Sequence, residues 1–188
     1  MTKPQKKQDI INHAFELFYD HGFGLGVDTL MADTGISKRT LYKYFPSKEA
    51  LIAELVDHYR EQSLPQLRAG VEALSPDPKG RLMALFDLRQ SLFARGCFRG
   101  CLAISARQEF GGRQPEIEAA ATAMFADMHA LVRELSALSG HANPDALTDQ
   151  AMVLFNGAVV AAQATRNPAP FDTAKSVLRV LLGTDTAS

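Results

Sequence analysis

The stretch GVDTLMADTGISKRTLYKYFPSKEAL, residues 26–51, decides the fold. It predicts two short helices on either side of Gly35, a residue that accepts the backbone angles of a tight turn. Ser37 is placed to cap the second of these helices, and Ile36 points back to hold the pair together. The pattern therefore predicts a helix-turn-helix.

The second of these helices has an apolar face and a cationic, aromatic one. Leu41 and Phe45 fit the inner face, which leaves on the outer face Lys38, Arg39, Thr40, Tyr42, Lys43 and Tyr44. Lys38 and Arg39 occupy its first turn and Lys48 the first turn of the next helix, where the helix dipole disfavours cations by a few tenths to about 1 kcal/mol each. We expect DNA phosphates to offset this cost.

We therefore expect the second helix to enter the major groove of double-stranded DNA. The predicted DNA-contacting residues are Lys38, Arg39, Thr40, Tyr42, Lys43, Tyr44, Lys48 and Thr29, with Lys38, Arg39, Thr40 and Lys43 nearest the base edges. The alternative is a degenerate helix pair whose aromatic residues are only core.

Charge is segregated along the chain of 188 residues. Residues 1–8 hold Lys3, Lys6 and Lys7 without an acid, and residues 34–48 hold four cations without an acid. Because the formal net charge is −1, the remainder carries a net −8. Two basic patches near one end of an acidic chain suggest a polyanionic partner. If this partner is DNA, we expect the N-terminal lysines to lie along the DNA backbone. An ordinary solvated lysine face is the alternative.

Nearly every other segment has helical periodicity, without β-type alternation. Over residues 116–138, for example, apolar residues recur at steps of four and three. The predicted fold is all-α with about nine helices. A helix-turn-helix domain covers residues 1–47, and an effector-binding and dimerisation bundle covers 48–188, with a connecting helix at 48–64 that Pro65 kinks or ends.

The last two helices are more apolar than a soluble surface allows. We predict a two-fold dimer in which they pack across the symmetry axis, with an interface of Leu147, Ala151, Leu154, Ala158, Ala162, Val177, Leu178 and Leu181. The alternative places the final helix at the centre of a monomer core.

The helix-turn-helix also resembles that of TetR-type (TetR/AcrR-like) transcriptional regulators. The resemblance is carried by Gly-Phe at 22–23 and by TGISKRTLYKYFPSKEAL at 34–51. It implies a dimeric repressor whose C-terminal domain binds a small molecule and then releases a palindromic operator. The chain departs from the family at Gly26, where Ser or Thr usually caps the helix, and at Met31 and Thr34, where alanine is frequent.

If the resemblance holds, the effector pocket lies among the middle helices. The candidates combine aromatic walls with few polar groups, which favours an uncharged or aromatic effector, and they are Phe86, Gln90, Phe93, Phe125, Met128, His129 and Phe155. Each is also a candidate for plain core. Cys97 and Cys101 would share a face if they lay on one helix, with Arg95 and Arg99 beside them to lower a thiol pKa, which suggests a redox sensor; buried inert thiols are the alternative.

Other function classes receive no support. We predict no catalytic residues, no metal ligands and no cofactor, since no nucleophile has a base at the required spacing and the five histidines are scattered. The sequence predicts no membrane span and no secretory signal, and two cysteines fit a reducing compartment, so we expect a cytoplasmic protein that is not an enzyme. The alternative function is a helical interaction or carrier protein that does not bind DNA.

Overall fold

The computed structural model describes residues 3–32 and 34–184 and, within them, the side chains from residue 6 onward. These residues form nine α-helices and no strand, which confirms the all-α prediction: α1 Lys3–His21, α2 Val27–Met31, α3 Lys38–Tyr44, α4 Lys48–Leu74, α5 Pro78–Ala94, α6 Leu102–Phe110, α7 Pro115–Leu138, α8 Pro144–Thr165 and α9 Ala169–Leu181.

Helix α4 does not end at Pro65, although an end was one of the two outcomes that the sequence predicted there. Pro65 lies inside this helix of 27 residues. A proline removes one backbone hydrogen bond, but Leu67 and Val71 are buried one turn apart in the segment that follows. Burial of that apolar stripe favours continuation of the helix.

Side chains on α1 and the first half of α4 join these helices to each other. The rings of Phe15 and Tyr59 stack with centroids 6.1 Å apart, and Lys7 Nζ lies 2.6 Å from a carboxylate oxygen of Glu54. Phe18 is buried and lies against Phe23 in the segment before α2, at a centroid distance of 5.5 Å. This core supports the helix-turn-helix from one side.

Helices α5, α8 and α9 pack against one another. Phe86 of α5 meets Phe155 of α8 edge-on at 5.5 Å, and Phe93 of α5 lies 6.3 Å from Phe171 of α9. An ion pair between Lys175 and Asp87, at 2.6 Å, joins α9 to α5 at the edge of this core. These contacts are those of a helical bundle.

The chain divides into two compact units. One takes in Met1–Glu61 and Leu102–Phe125, and the other Gln62–Cys101 and Ala126–Ser188. This division by contacts differs from the predicted boundary after residue 47, because the start of α4 packs on α1 and because Phe110 of α6 lies 5.6 Å from Phe23. The functional assignment of the two predicted domains stays a prediction.

Candidate nucleic-acid interface

The turn between α2 and α3 is built by backbone and hydroxyl groups. Gly35 has a φ of +66°, in the left-handed region that glycine adopts without strain. The Thr34 hydroxyl donates to the carbonyl oxygen of Met31 at 2.8 Å and accepts from the Ile36 N–H at 3.0 Å. Thr34 therefore uses its side chain to satisfy the end of α2, which alanine could not do.

Helix α3 has the predicted cap and the predicted inner face. The Ser37 hydroxyl oxygen accepts from the Thr40 N–H at 3.2 Å. Leu41 and Phe45 are each 1% exposed, so they anchor the helix to its own unit. The outward residues Lys38, Arg39, Tyr42 and Lys43 are exposed, whereas Thr40 and Tyr44 are partly buried. The predicted DNA-facing side of α3 is thus a solvent-exposed surface with three cations and one exposed aromatic ring.

Helix α2 adds Thr29, which is exposed as a DNA-contacting residue must be. Its N-cap, Gly26, makes no side-chain hydrogen bond, so the hydroxyl that usually stands at this position of the family has no counterpart here. A side chain at Gly26 would find no atom within 4 Å. The N-terminus of α2 is therefore open.

Lys38 has a partner inside the protein, contrary to the expectation that DNA alone offsets its position. Its Nζ atom lies 2.7 Å from Oδ1 of Asp28, in the first turn of α2. The hydrogen bond from Lys38 to Asp28 raises the pKa of Lys38 above its ordinary value. The helix-dipole argument for DNA is therefore wrong for this residue, because a carboxylate already supplies the negative charge.

Lys48 is also engaged within the protein. Its ammonium donates to the carbonyl oxygen of Phe23 at 2.6 Å and lies 5.8 Å from the ring centroid of Phe18. The carbonyl and the ring face offset its charge without phosphate. Lys48 was predicted to bind phosphate, but these contacts give it a structural role.

Of the N-terminal lysines, Lys6 is exposed. Lys7 pairs with Glu54 and lies 5.5 Å from the ring centroid of Phe45. The side chain of Lys3 lies outside the described residues. An extended contact of all three with the DNA backbone stays a prediction.

Sequence reasoning missed Asp28 and the carbonyl of Phe23. The pairing of Asp28 could have been predicted from the sequence. An acid in the first turn of a helix is favoured by the helix dipole, and the short connection between α2 and α3 brings Lys38 close to it. The Phe23 carbonyl carries no such signal, since every residue has that group.

Comparison with known proteins matches two family models to successive stretches of the chain. A family model described as "Bacterial regulatory proteins, tetR family" matches residues 10–55. A second, described as "Tetracyclin repressor-like, C-terminal domain", matches residues 78–178, more than half of the chain. The chain belongs to the TetR family. It is a member of a family of transcriptional regulators with a DNA-binding helix-turn-helix.

Individual TetR-family proteins share low sequence identity with this chain. Transcriptional regulator AcuR of Cereibacter sphaeroides is 27% identical over 172 residues, which is 87% of this chain and 78% of AcuR. The HTH-type transcriptional regulator EthR of Mycolicibacterium smegmatis is 38% identical over 55 residues, 29% of this chain and 25% of EthR. The crystal structure of a TetR regulator from Chloroflexus aurantiacus covers 97% of both chains with a TM-score of 0.82 at 22% identity, which shows a shared fold.

The residues proposed for the effector site of this TetR-family chain separate into an aromatic group and polar residues with other partners. Phe86 and Phe155 are buried against each other, Met128 is buried, Phe93 stacks on Phe98 at 4.3 Å and Phe125 is partly buried. Gln90 donates to Asp172 at 2.8 Å, and His129 is exposed with a ring nitrogen 3.3 Å from Asp149. The polar groups of Gln90 and His129 are thus directed at acidic side chains near the surface.

Half of the predicted dimer residues cannot form an interface. Leu147, Ala151, Ala162 and Leu178 are at most 2% exposed within the single chain, so a partner has almost no surface of theirs to cover. This part of the prediction is wrong, because those side chains fill the core of their own bundle. Leu154, Ala158, Val177 and Leu181 keep some exposure.

The apolar residues of α8 and α9 that are open to solvent only partly overlap the predicted interface. Val153 and Val177 line a groove of about 560 Å³ together with the small residues Gly157, Ala158 and Ala161. Val153 is 73% exposed, and Val160 and Val180 are exposed as well. Exposed apolar side chains that cluster on two neighbouring helices are typical of a protein interface.

The two cysteines lie between α5 and α6 rather than on one helix. Both thiols are free; Cys97 is exposed and Cys101 is buried. Gly96 has a φ of +68°, so Cys97 directly follows a turn residue in the left-handed region. The redox hypothesis loses its shared helical face but is otherwise untested.

No helix among the described residues is both long enough and apolar enough to span a bilayer.

Proposed function

We propose that this TetR-family chain is a homodimeric repressor that binds a palindromic operator through α3 and releases it when a small effector binds the C-terminal bundle. The observation that carries the proposal is the outer face of α3. There Arg39, Tyr42 and Lys43 are exposed on a helix anchored by the buried Leu41 and Phe45. A rigid helix that presents cations and hydrogen-bonding groups has the chemistry required to enter a major groove.

The open apolar face of α8 and α9 supports dimer formation. A two-fold dimer carries two copies of α3, and two-fold symmetry of the protein corresponds to a palindromic DNA site. Val153, Val160, Val177 and Val180 are the residues whose exposure the dimer would remove. Val177 belongs to the predicted interface, and Val153, Val160 and Val180 replace its buried half. Gly157 and Ala161 would permit close approach of the helices.

The proposed effector is a small uncharged or aromatic molecule. Its support is the aromatic group of Phe86 and Phe155, with Phe93 beside Phe98 and Phe171. An aromatic ligand would replace ring-to-ring contacts of the kind already present. In a dimer, the two copies of α3 must be separated by the distance between the two half-sites of the operator. A ligand that preferentially binds a conformation with a different separation would lower operator affinity. The proposed site of action is the cytoplasm, where a bacterial regulator of transcription meets DNA.

Selection of bound duplexes from a random-sequence pool tests the proposal. Arg39→Gln should relax the base preference at one position of each half-site, since an arginine contact to a base is worth about 1–3 kcal/mol of discrimination. Arg113→Gln, an exposed arginine between α6 and α7, is the matched control and should recover the same motif as the unsubstituted protein. We expect a motif with two-fold symmetry. Recovery of no motif, or of one without symmetry, would contradict the proposal.

A further inference from the structure

The ion pair between α2 and α3 lies on the surface that would face DNA. Asp28 Oδ1 and Lys38 Nζ are 2.7 Å apart, and their side chains are 81% and 53% exposed respectively. Both groups are therefore accessible to a third charged group without any rearrangement of the core.

We propose that Asp28 competes with DNA phosphate for Lys38 and thereby lowers the affinity of the protein for duplex DNA of any sequence. This inference rests on the proposed function. Asp28 lowers affinity from the edge of the interface, because its carboxylate occupies the place at Lys38 that a phosphate oxygen would take.

The location of each residue explains why the pair forms. Asp28 lies in the first turn of α2, where the positive end of the helix dipole favours a carboxylate. Lys38 is the first residue of α3, whose dipole disfavours a cation. The pair therefore relieves the cost of Lys38 in the absence of DNA.

The competition is controlled by anions rather than by proton uptake. The contact with Asp28 raises the pKa of Lys38, so the lysine stays charged throughout the physiological range. An exposed ion pair is also weak, because water and salt screen both charges. A phosphate oxygen can therefore replace the carboxylate at Lys38.

Replacement leaves an uncompensated negative charge beside the DNA. When phosphate takes Lys38, the Asp28 carboxylate remains in the exposed first turn of α2 and repels the duplex. When Asp28 keeps Lys38, the duplex loses one cationic contact. In the first case the repulsion by Asp28 offsets the contact that Lys38 makes, and in the second case that contact is not made. The net gain from roughly one phosphate contact is lost either way, and each such contact contributes about 0.9 to the slope of log affinity against log salt.

The test is a double-mutant cycle measured by fluorescence anisotropy with a random-sequence duplex and, where selection yields one, the operator. We expect Asp28→Asn to raise affinity roughly threefold or more and to make the salt slope steeper by about one. Lys38→Met should weaken binding less than twofold in the unsubstituted protein. In the Asp28→Asn background it should cancel the gain.

Asp145→Asn is the matched control. Asp145 is also an exposed acid in a first helical turn, and it pairs with Arg133 at 3.0 Å on a surface assigned no DNA contact. We expect it to leave both affinity and salt slope unchanged. An equal effect of Asp145→Asn and Asp28→Asn would reduce the result to net charge and overturn the inference.

The outcomes separate this inference from the proposed function. If the unsubstituted protein binds DNA but Asp28→Asn changes neither affinity nor slope, only the inference is overturned. Equal weakening by Lys38→Met in both backgrounds overturns it as well. If neither the unsubstituted protein nor Asp28→Asn binds any duplex, both proposals are wrong. Binding that appears only in Asp28→Asn would support the inference.

Discussion

The ammonium of Lys48 donates a hydrogen bond of 2.6 Å to the carbonyl oxygen of Phe23. This bond joins the first turn of α4 to the segment between α1 and α2. Phe23 is itself buried against Phe18. A residue whose charge suggests DNA contact thus holds together the unit that carries α3.

Replacement of Lys48 should therefore cost stability. We expect Lys48→Met to lower the free energy of unfolding by about 1–2 kcal/mol, because a carbonyl in a partly buried site loses a charged donor. Urea unfolding followed by circular dichroism measures the change. Lys43→Met, at an exposed position on α3, is the control and should change the free energy by no more than about 0.5 kcal/mol. Equal unfolding midpoints for the two variants would show that Lys48 has no structural role.

Substitution of two glycines in the helix-turn-helix should change stability in opposite directions. Gly35 has a positive φ, so Gly35→Ala should destabilise the protein by about 1 kcal/mol or more. Gly26 is the N-cap of α2 with extended backbone and open space around its Cα, so Gly26→Ser should stabilise it by a few tenths of a kcal/mol. Thermal unfolding of both variants checks the pair. Stability of Gly35→Ala equal to that of the unsubstituted protein would contradict this account of the turn.

The exposed face of α8 and α9 predicts the oligomeric state. The unsubstituted protein should sediment with twice the mass of its 20.5 kDa chain at low micromolar concentration. Val153→Glu should give a monomer, because a charge would be buried in an apolar interface. Leu74→Glu, an exposed apolar residue at the end of α4, should remain dimeric. A monomeric mass for the unsubstituted protein would contradict the proposed dimer.

Helical periodicity predicted the elements well because it records which side of a helix is buried. Ile117, Met128 and Leu135 are all buried on α7, as their spacing requires. Periodicity does not say what covers a face. Helix α8 is apolar on two sides, and the side holding Leu147 and Ala151 proved to be internal. The exposed side of α8, which holds Val153 and Val160, was identified only from the structure.

The candidate site shows a similar limit. Ser37, Gly35 and the inward Leu41 follow from local chemistry, and the structure bears them out. The partners of Lys38 and Lys48 depend on through-space distances across a turn and on a backbone atom. Charge and sequence spacing alone could not separate a lysine directed at solvent from one already engaged.

The central claim is that the outer face of α3 binds DNA, and the salt dependence of binding tests it most directly. The dissociation constant of the selected duplex and of a scrambled duplex should be measured across a salt series, with an Arg39→Gln, Lys43→Gln double variant and the Arg113→Gln control. We predict log-linear loss of affinity with salt, tighter binding of the selected duplex, and a shallower slope for the double variant, because two cations are removed from the surface that meets the duplex. Salt-independent binding, or equal slopes for the double variant and the control, would contradict the claim.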